Sequence, residues 1–167
     1  AVKISDTLDE AALAAQAEKI GCLAFERVGT QIKVNLVAVC NESGDAAKFE
    51  AAAKLAAEKS GMACVLISAK ADNLKKAAGA VSGKRPLLYI SDPEQAVAAA
   101  AVAKEENCPL AVRADSLEAL AELTPKVAEA GVEMAVYEGP DVSPALWSAM
   151  HRFYRDTFLA HGNPPVM

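Results

Sequence analysis

This chain has few of the residues that mark metal, redox and nucleic-acid sites. Its four cysteines are far apart, whereas zinc and iron–sulfur sites usually include at least one close pair. Only two histidines are present, and 17 basic residues face 22 acidic ones, which gives a net charge of −5. A nucleic-acid surface needs a basic cluster with interleaved aromatic residues, and the sequence has none. We therefore expect neither a metal site nor a nucleic-acid partner.

Long apolar segments are also missing. Uncharged stretches such as residues 60–69 and 157–167 are far too short to span a bilayer. No secretory signal precedes the first predicted strand, so we expect a cytoplasmic protein without a membrane partner. In that reducing compartment the cysteines are predicted to be small buried hydrophobic residues: Cys22, Cys40, Cys64 and Cys108. Glycine-rich phosphate loops are absent as well, since the glycines fall in turns and at helix ends.

Six short apolar runs alternate with alanine-rich helical stretches. Their starts are about 23 to 31 residues apart, close to the length of a strand–helix–strand unit. The alternation predicts an α/β domain over residues 1–167, with one parallel sheet covered by helices. Such a sheet is either open and doubly wound or part of a longer (β/α) barrel, which typically needs eight strands. The predicted strands are residues 1–4, 32–39, 63–67, 86–90, 109–112 and 133–137.

Ligands of parallel sheets bind at the carboxyl ends of the strands, so the residues there are the candidate site. Arg113 and Glu138 end the fifth and sixth predicted strands and are candidate contacts for a ligand or a partner protein. The full set of strand-end residues is polar but contains no histidine: Ser5-Asp6, Asn41-Glu42-Ser43, Ser68-Ala69-Lys70, Ser91-Asp92, Arg113-Ala114-Asp115 and Glu138-Gly139.

Asn35 is a third candidate contact, because it interrupts the apolar run of residues 32–39. It shares one face of that predicted strand with Lys33, since side chains alternate along a strand. Asn35 is either an inward-pointing ligand contact or a hydrogen-bonded amide in a barrel interior. We favour the second interpretation, because a buried amide needs partners whatever the function.

Capping residues predict where the helices begin and end. Thr7 and Ser91 are each followed three residues later by glutamate, the pattern of a capping box. Asp45 is predicted to cap the helix that runs to Lys59, and Asp115 or Ser116 the helix that runs to Ala130. The last predicted helix, residues 143–160, carries a bulky stripe that should face protein rather than water: Trp147, Met150, Tyr154 and Phe158.

Several stretches resemble the large subunit of the corrinoid iron–sulfur protein, in the same order and spacing up to about residue 139. They are SDT at residues 5–7, FERVG at 25–29, VNLVAV at 34–39, RPLLY at 85–89, CPLAVR at 108–113 and SLEALAELT at 116–124. The resemblance places this chain on the central TIM-type barrel of that subunit, as a partial barrel of six β/α units. The iron–sulfur and cobamide-binding domains of the family have no counterpart in this chain.

The resemblance also implies a function. The family carries a methyl group on a cobamide from methyl-tetrahydropterin to acetyl-CoA synthase, and a [4Fe–4S] cluster reactivates oxidised cobalt. Because both cofactors belong to other domains, this chain would hold no cofactor and would be a scaffold and docking barrel. The implied partners are the small barrel subunit of the same complex, the methyltransferase and acetyl-CoA synthase.

A second hypothesis is a self-contained barrel enzyme that acts on a small anionic substrate. Arg113 would then bind a carboxylate or phosphate, because its guanidinium suits bidentate anion binding. Glu138 or Asp6 would be the acid or base, and Lys70 a possible Schiff-base amine. We favour the scaffold, because a fold alone does not establish chemistry and no nucleophile lies beside a base in the sequence.

Overall fold

In the computed structural model of this chain, residues 1–132 and 135–138 are described. Two short 3-10 helices, Ser82–Lys84 and Pro93–Gln95, accompany the longer elements. The strands and helices are, in chain order, β1 (Val2–Ser5), α1 (Glu10–Gly21), β2 (Ala24–Arg27), β3 (Thr30–Lys33), β4 (Leu36–Cys40), α2 (Ala46–Ser60), β5 (Ala63–Ser68), α3 (Ala71–Ala80), β6 (Leu87–Ile90), α4 (Ala96–Glu105), β7 (Leu110–Arg113), α5 (Leu117–Glu129) and β8 (Ala135–Glu138).

Six of these strands form one parallel sheet in the order β1-β4-β5-β6-β7-β8. Neighbours in the sheet are also successive β/α units along the chain, so the order contains no reversal. The helices pack in the same succession, each against the next, from α1 to α5. A doubly wound sheet would reverse its order and place helices on both faces. The observed α/β arrangement is instead compatible with a partial β/α barrel, as the sequence predicts.

Alanine sets the close approach of the helices to the sheet. In α2 and α4 the residues that face the strands are mainly alanines, which are fully buried. Small side chains let the helix axis lie near the sheet, while branched residues of the strands fill the interface. Every second residue of each strand points toward the helices and forms this core, including Val37, Val39, Leu66 and Leu88. Burial on the helical side and at the sheet centre explains why these strands read as continuous apolar runs.

The predicted strand of residues 32–39 is wrong in its bounds. Its first two residues belong to β3, which pairs antiparallel with β2 in a separate two-stranded sheet. Val34 and Asn35 connect this hairpin to β4, which begins at Leu36. Asn35 is exposed at the amino end of β4, so the predicted buried interior amide is also wrong. β3 and β4 were predicted as one strand because only Val34 and Asn35 separate them.

The caps confirm some predictions and correct others. Asp45 accepts hydrogen bonds from the backbone of α2, and Ser116 caps α5. Asp9, not Thr7, caps α1, because its carboxylate accepts the Ala12 N–H at 2.8 Å. Asp92, not Ser91, precedes the second 3-10 helix and accepts the Glu94 N–H at 3.0 Å. Asp fits both N-cap and turn positions, so the sequence pattern did not separate neighbouring candidates.

Three of the four cysteines are buried, as predicted, but Cys22 at the end of α1 is exposed. The other three thiols have pKa values raised above the ordinary range by burial. No helix of residues 1–132 combines the length and the apolar character that a membrane crossing requires. The predicted helix 143–160 and its aromatic stripe lie outside the described residues.

Candidate functional site

The carboxyl ends of β1, β4 and β5 meet at one edge of the sheet. The parallel ladder continues one residue beyond the strands there. The Asp6 N–H donates to the Cys40 carbonyl at 3.0 Å, and the Asn41 N–H donates to the Ile67 carbonyl at 2.9 Å. This register brings polar residues from three strand ends into contact, at the edge predicted from the sequence to hold the site.

Asp6 is the centre of this group and is only 4% exposed. Its Oδ1 accepts the backbone N–H groups of Glu42 and Ser43, both at 2.9 Å. Its Oδ2 accepts the Asn41 Nδ2 at 2.8 Å and the Ser43 hydroxyl at 2.6 Å. These four hydrogen bonds occupy both carboxylate oxygens and fix the loop between β4 and α2.

Asn41 extends the contacts from Asp6 to β5 and α3. Its Oδ1 accepts the Ser68 hydroxyl at 3.1 Å and the Asn73 Nδ2 at 2.6 Å. Asn73 also donates to the Gly44 carbonyl at 3.2 Å, which ties α3 to the same loop. We call Asp6, Asn41, Ser43, Ser68 and Asn73 the strand-end network. Among the described residues, no buried side-chain nitrogen or oxygen lacks a hydrogen-bond partner.

The strand-end network lowers the pKa of Asp6. Burial alone would raise that pKa, because it disfavours the charged carboxylate. The hydrogen bonds from Ser43, Asn41 and the backbone of Glu42 together outweigh burial, so the pKa lies below its usual value. A carboxylate held ionised and saturated with donors is a poor proton acceptor. Asp6 is therefore suited to fixing the loop rather than to acid–base chemistry.

A second, exposed cluster lies at the outer edge of β1. The Ser5 hydroxyl donates to Glu42 Oε2 at 2.6 Å, and the Lys3 Nζ lies 3.1 Å from Glu42 Oε1. Hydrogen bonds from Ser5 and Lys3 lower the pKa of Glu42, and the hydrogen bond with Glu42 raises the pKa of Lys3. Both charged groups are exposed to solvent, so we assign this pair little stabilising energy.

The structure does not bring the three candidate contact residues together. Arg113 is half-buried at the end of β7, and its Cα partner in the register is Glu138 of β8. β6 separates this pair from β5 and the strand-end network. Asn35 lies at the opposite, amino end of the sheet, before β4. Arg113 and Glu138 are thus neighbours in the backbone, whereas Asn35 belongs to neither strand-end group.

Asn73 was not among the site residues predicted from the sequence. It is the third residue of α3 and is buried, although most of its neighbours in that helix are alanine, lysine or leucine. Asparagine is a poor residue for a helix interior, and this was the signal that something must bind its amide. Lys70 precedes α3, and its exposed side chain takes no part in the network, while its backbone N–H donates to the Ser68 hydroxyl at 3.1 Å.

A groove of about 620 Å³ lies between the start of α1 and α2, next to Asp6. Its walls combine apolar side chains such as Leu13 and Leu55 with charged residues such as Asp9 and Lys48. No group of three or more histidine, cysteine, aspartate or glutamate side chains in the described ranges is arranged to hold a metal ion. The groove therefore offers space beside the network but no ligand set.

The sequence of this chain matches a known protein family. The sequence pattern of the CO dehydrogenase/acetyl-CoA synthase delta subunit family matches residues 1–154. The chain is 37% identical over 138 residues to the corrinoid/iron–sulfur protein large subunit of Moorella thermoacetica, covering 83% of this chain and 31% of that protein. It is 33% identical over 129 residues to the acetyl-CoA decarbonylase/synthase complex subunit gamma of Methanopyrus kandleri, covering 77% of this chain and 27% of that protein.

The chain thus spans about a third of the length of these curated relatives. The matched family is described by a delta subunit, whereas the relatives are large and gamma subunits. The resemblance to the corrinoid iron–sulfur protein large subunit is confirmed by these matches. The chain belongs to the CO dehydrogenase/acetyl-CoA synthase delta subunit family.

Proposed function

We propose that this chain is a scaffold and docking barrel of a corrinoid methyl-carrier protein, which passes a methyl group from methyl-tetrahydropterin to acetyl-CoA synthase. The parallel sheet would be part of a closed barrel. The small barrel subunit, the methyltransferase and acetyl-CoA synthase would be its partners in the cytoplasm. The family membership and the relatives' names support the pathway, and the geometry of the sheet edge supports the scaffold role.

The observation that carries this proposal is the internal use of the strand-end polar groups. Both oxygens of Asp6 and both polar atoms of the Asn41 amide hydrogen-bond to protein. A catalytic edge would instead direct an acid, a base or a nucleophile toward open space. The hydrogen bonds of the strand-end network connect β1, β4 and β5 to α3 and to the loop before α2. Such internal connections are typical of a rigid support.

The same geometry disfavours the enzyme acting on a small anion. Asp6 follows β1 and Arg113 ends β7, so β4, β5 and β6 lie between the two residues that would act on one substrate. The other candidate acid or base, Glu138, is the Cα partner of Arg113 in the register, so this argument applies to Asp6 alone. The pKa of Asp6 is lowered, which makes it a weaker base than an ordinary aspartate. Lys70 is exposed before α3, whereas a Schiff-base lysine is typically desolvated or lies next to another cationic group.

The family's cofactors do not fit the donor groups of the described residues. Cys22 ends α1, Cys40 ends β4, Cys64 lies in β5 and Cys108 precedes β7. These positions are distributed along the sheet and the helix layer, and no three metal-binding side chains in the described ranges converge. We therefore assign the cobamide and the [4Fe–4S] cluster to other domains of the family's large subunit.

Arg113→Ala in the complete cofactor-loaded polypeptide tests the proposal. We expect methyl transfer at saturating substrate to stay within about twofold of wild type, because removing a true acid–base or anion-binding group typically costs about 100-fold or more. Arg113→Ala should instead weaken the affinity for one of the proposed partner proteins, which sedimentation measures. Lys76→Ala on the exposed side of α3 is the matched control for the loss of one positive charge. A 100-fold slower transfer by an intact Arg113→Ala complex would favour the enzyme hypothesis.

A further inference from the structure

The loop between β4 and α2, residues 41–45, directs four hydrogen-bond donors at one carboxylate. Two donors are the backbone N–H groups of Glu42 and Ser43, each 2.9 Å from Asp6 Oδ1. The other two are the Ser43 hydroxyl and the Asn41 amide, at 2.6 and 2.8 Å from Asp6 Oδ2. An ionised carboxylate only accepts hydrogen bonds, and each of its oxygens can take two donors. The loop is therefore complementary to a whole carboxylate group.

The Asn41 amide keeps its orientation through contacts that do not involve Asp6. Its Oδ1 accepts the Ser68 hydroxyl at 3.1 Å and the Asn73 amide at 2.6 Å. Its backbone N–H donates to the Ile67 carbonyl at 2.9 Å, which extends the parallel ladder to the start of the loop. Because these contacts fix the amide oxygen, the amide nitrogen is directed at the site independently of the carboxylate.

The other end of the loop is fixed in the same way. The Ser43 Oγ accepts the Asp45 N–H at 3.1 Å, and Asp45 in turn caps α2. The Gly44 carbonyl accepts the Asn73 amide at 3.2 Å. The Glu42 and Ser43 N–H groups thus lie between two anchored points, the end of β4 and the start of α2. Donors that are oriented before a ligand arrives bind it at a lower entropic cost.

The charges of the loop are compatible with an anion at this site. The hydrogen bonds that Asp6 accepts keep its pKa below the usual value although it is buried. Glu42 is the loop's exposed acidic side chain beside the site, and Lys3 pairs with it at 3.1 Å. The Asp45 carboxylate is turned to the backbone N–H groups at the start of α2. Both acidic groups of the loop therefore have partners of their own.

The groove between the start of α1 and α2 gives access to the site. Asp6 is one of the residues that line this space of about 620 Å³. A small solute can therefore reach the four donors from the groove once the Asp6 side chain is removed. Charges of both signs line the groove, so it is not closed to an anion: Asp9, Glu10, Glu58, Lys48 and Lys54.

We propose that the β4–α2 loop is a preformed carboxylate-binding site that Asp6 occupies as an internal ligand. The class of external ligand that it would take is a small monocarboxylate, such as formate or acetate. In the intact chain Asp6 blocks the site, because a tethered side chain reaches the donors without the loss of translational freedom that a free anion pays. The contact between β1 and the β4–α2 loop is then the binding of a ligand by a receptor.

Asp6→Gly in the complete polypeptide tests this inference, because it removes the internal ligand and leaves all four donors. Hydrogen exchange of the peptide that contains Glu42 and Ser43 would be followed by mass spectrometry, in sodium formate and in sodium chloride of equal ionic strength. We expect fast exchange in chloride and a saturable return of protection in formate. At about ten times the half-saturating concentration, exchange should be about tenfold slower. For so small a ligand, half-saturation should require about 1 mM formate or more.

Three controls assign the effect to this site. Formamide has the size of formate but no charge, and it should not restore protection. Ser43→Ala in the Asp6→Gly background removes one donor and should raise the half-saturating formate concentration about tenfold or more. Asp115→Gly removes an exposed aspartate that also follows a strand, and exchange near residue 115 should not respond to formate.

Equal exchange in formate and chloride would overturn the proposal, and so would equal protection by formamide. Asp6→Ala is the second variant, because it avoids the extra backbone freedom of glycine. A loop that stays unprotected in both variants at every formate concentration would also overturn it, since the donors would then depend on Asp6 for their positions. These outcomes do not bear on the scaffold proposal, which the methyl-transfer rate of Arg113→Ala tests separately.

Discussion

Replacing Asp6 by Asn changes one atom in the buried centre of the strand-end network. Each oxygen of Asp6 accepts two donors, so an amide nitrogen at either position opposes groups that donate. The Ser43 hydroxyl can reverse its role, but the Asn41 amide and the two backbone N–H groups have no comparable freedom. Hydrogen bonds to a charged group contribute about 1.5–3 kcal/mol each, and a buried unsatisfied donor costs about 1–3 kcal/mol. We therefore expect Asp6→Asn to lower the free energy of unfolding by about 2–4 kcal/mol at neutral pH.

Urea unfolding provides the measurement. With a slope of about 2 kcal/mol per molar, this loss moves the urea midpoint down by about 1–2 M. Asp115→Asn is the matched control, because Asp115 also follows a strand but is exposed. We expect the control to change stability by no more than about 0.5 kcal/mol. A cost for Asp6→Asn as small as that of Asp115→Asn would refute the account of the network.

Acidification provides a second check on Asp6. Its pKa is lower in the folded protein than in the unfolded chain, where an aspartate titrates near about 3.9. The stability that Asp6 contributes is fully present above the unfolded pKa and is lost as pH falls through the folded pKa. The difference between wild type and Asp6→Asn should therefore be constant between about pH 7 and 5 and shrink below about pH 4. A difference that does not change with pH would contradict the assigned ionisation.

Three further predictions concern packing, thiol reactivity and cofactors. Gly21→Ala should destabilise the protein by about 1–3 kcal/mol, because the new Cβ would lie 2.9 Å from the Ser60 carbonyl oxygen and push α1 from α2. Gly79→Ala is its control, since a Cβ there meets nothing within 4 Å, and it should stabilise α3 slightly; thermal unfolding of both variants measures the difference. Native alkylation followed by intact-mass measurement should add one adduct, at Cys22, whereas denaturation exposes the three buried thiols; a Cys22→Ser variant that still reacts rapidly would contradict this burial. Reconstitution of the isolated chain with iron, sulfide and cobalamin should leave no stoichiometric iron or cobalt by metal analysis, and either metal at one equivalent would sink this prediction.

The parallel sheet was predictable because its strands are buried and therefore form continuous apolar runs. The carboxyl-end positions of Asp6, Asn41 and Ser68 followed from the same runs. Their mutual hydrogen bonds did not follow, because they depend on the register of three strands separated by two helices. The partner of Asn73 could not be predicted for the same reason, since Asn41 lies 32 positions away in the chain.

The hairpin was missed for a different physical reason. Its strands are four residues each, and their alternation is too short to separate from the adjoining apolar run. The strongest sequence signal for a two-residue turn is Asn-Gly or Asp-Gly, whereas this turn is Val28-Gly29. The same reasoning explains the exposed position of Asn35, which follows the hairpin.

The unreversed strand order also has a consequence for how this chain acquires its structure. Paired positions in neighbouring strands, such as Val65 with Leu87 and Leu88 with Leu110, are separated by roughly two dozen residues, so each closure has a modest entropic cost. No strand has to wait for a distant partner, and each unit adds to the edge that the previous unit formed. Assembly can therefore proceed from the amino end at the pace of translation. The longest closure within the sheet is the first, β1 to β4, because the hairpin is inserted there. Formation of that pair therefore has the largest entropic cost of closure among the described strands of the sheet.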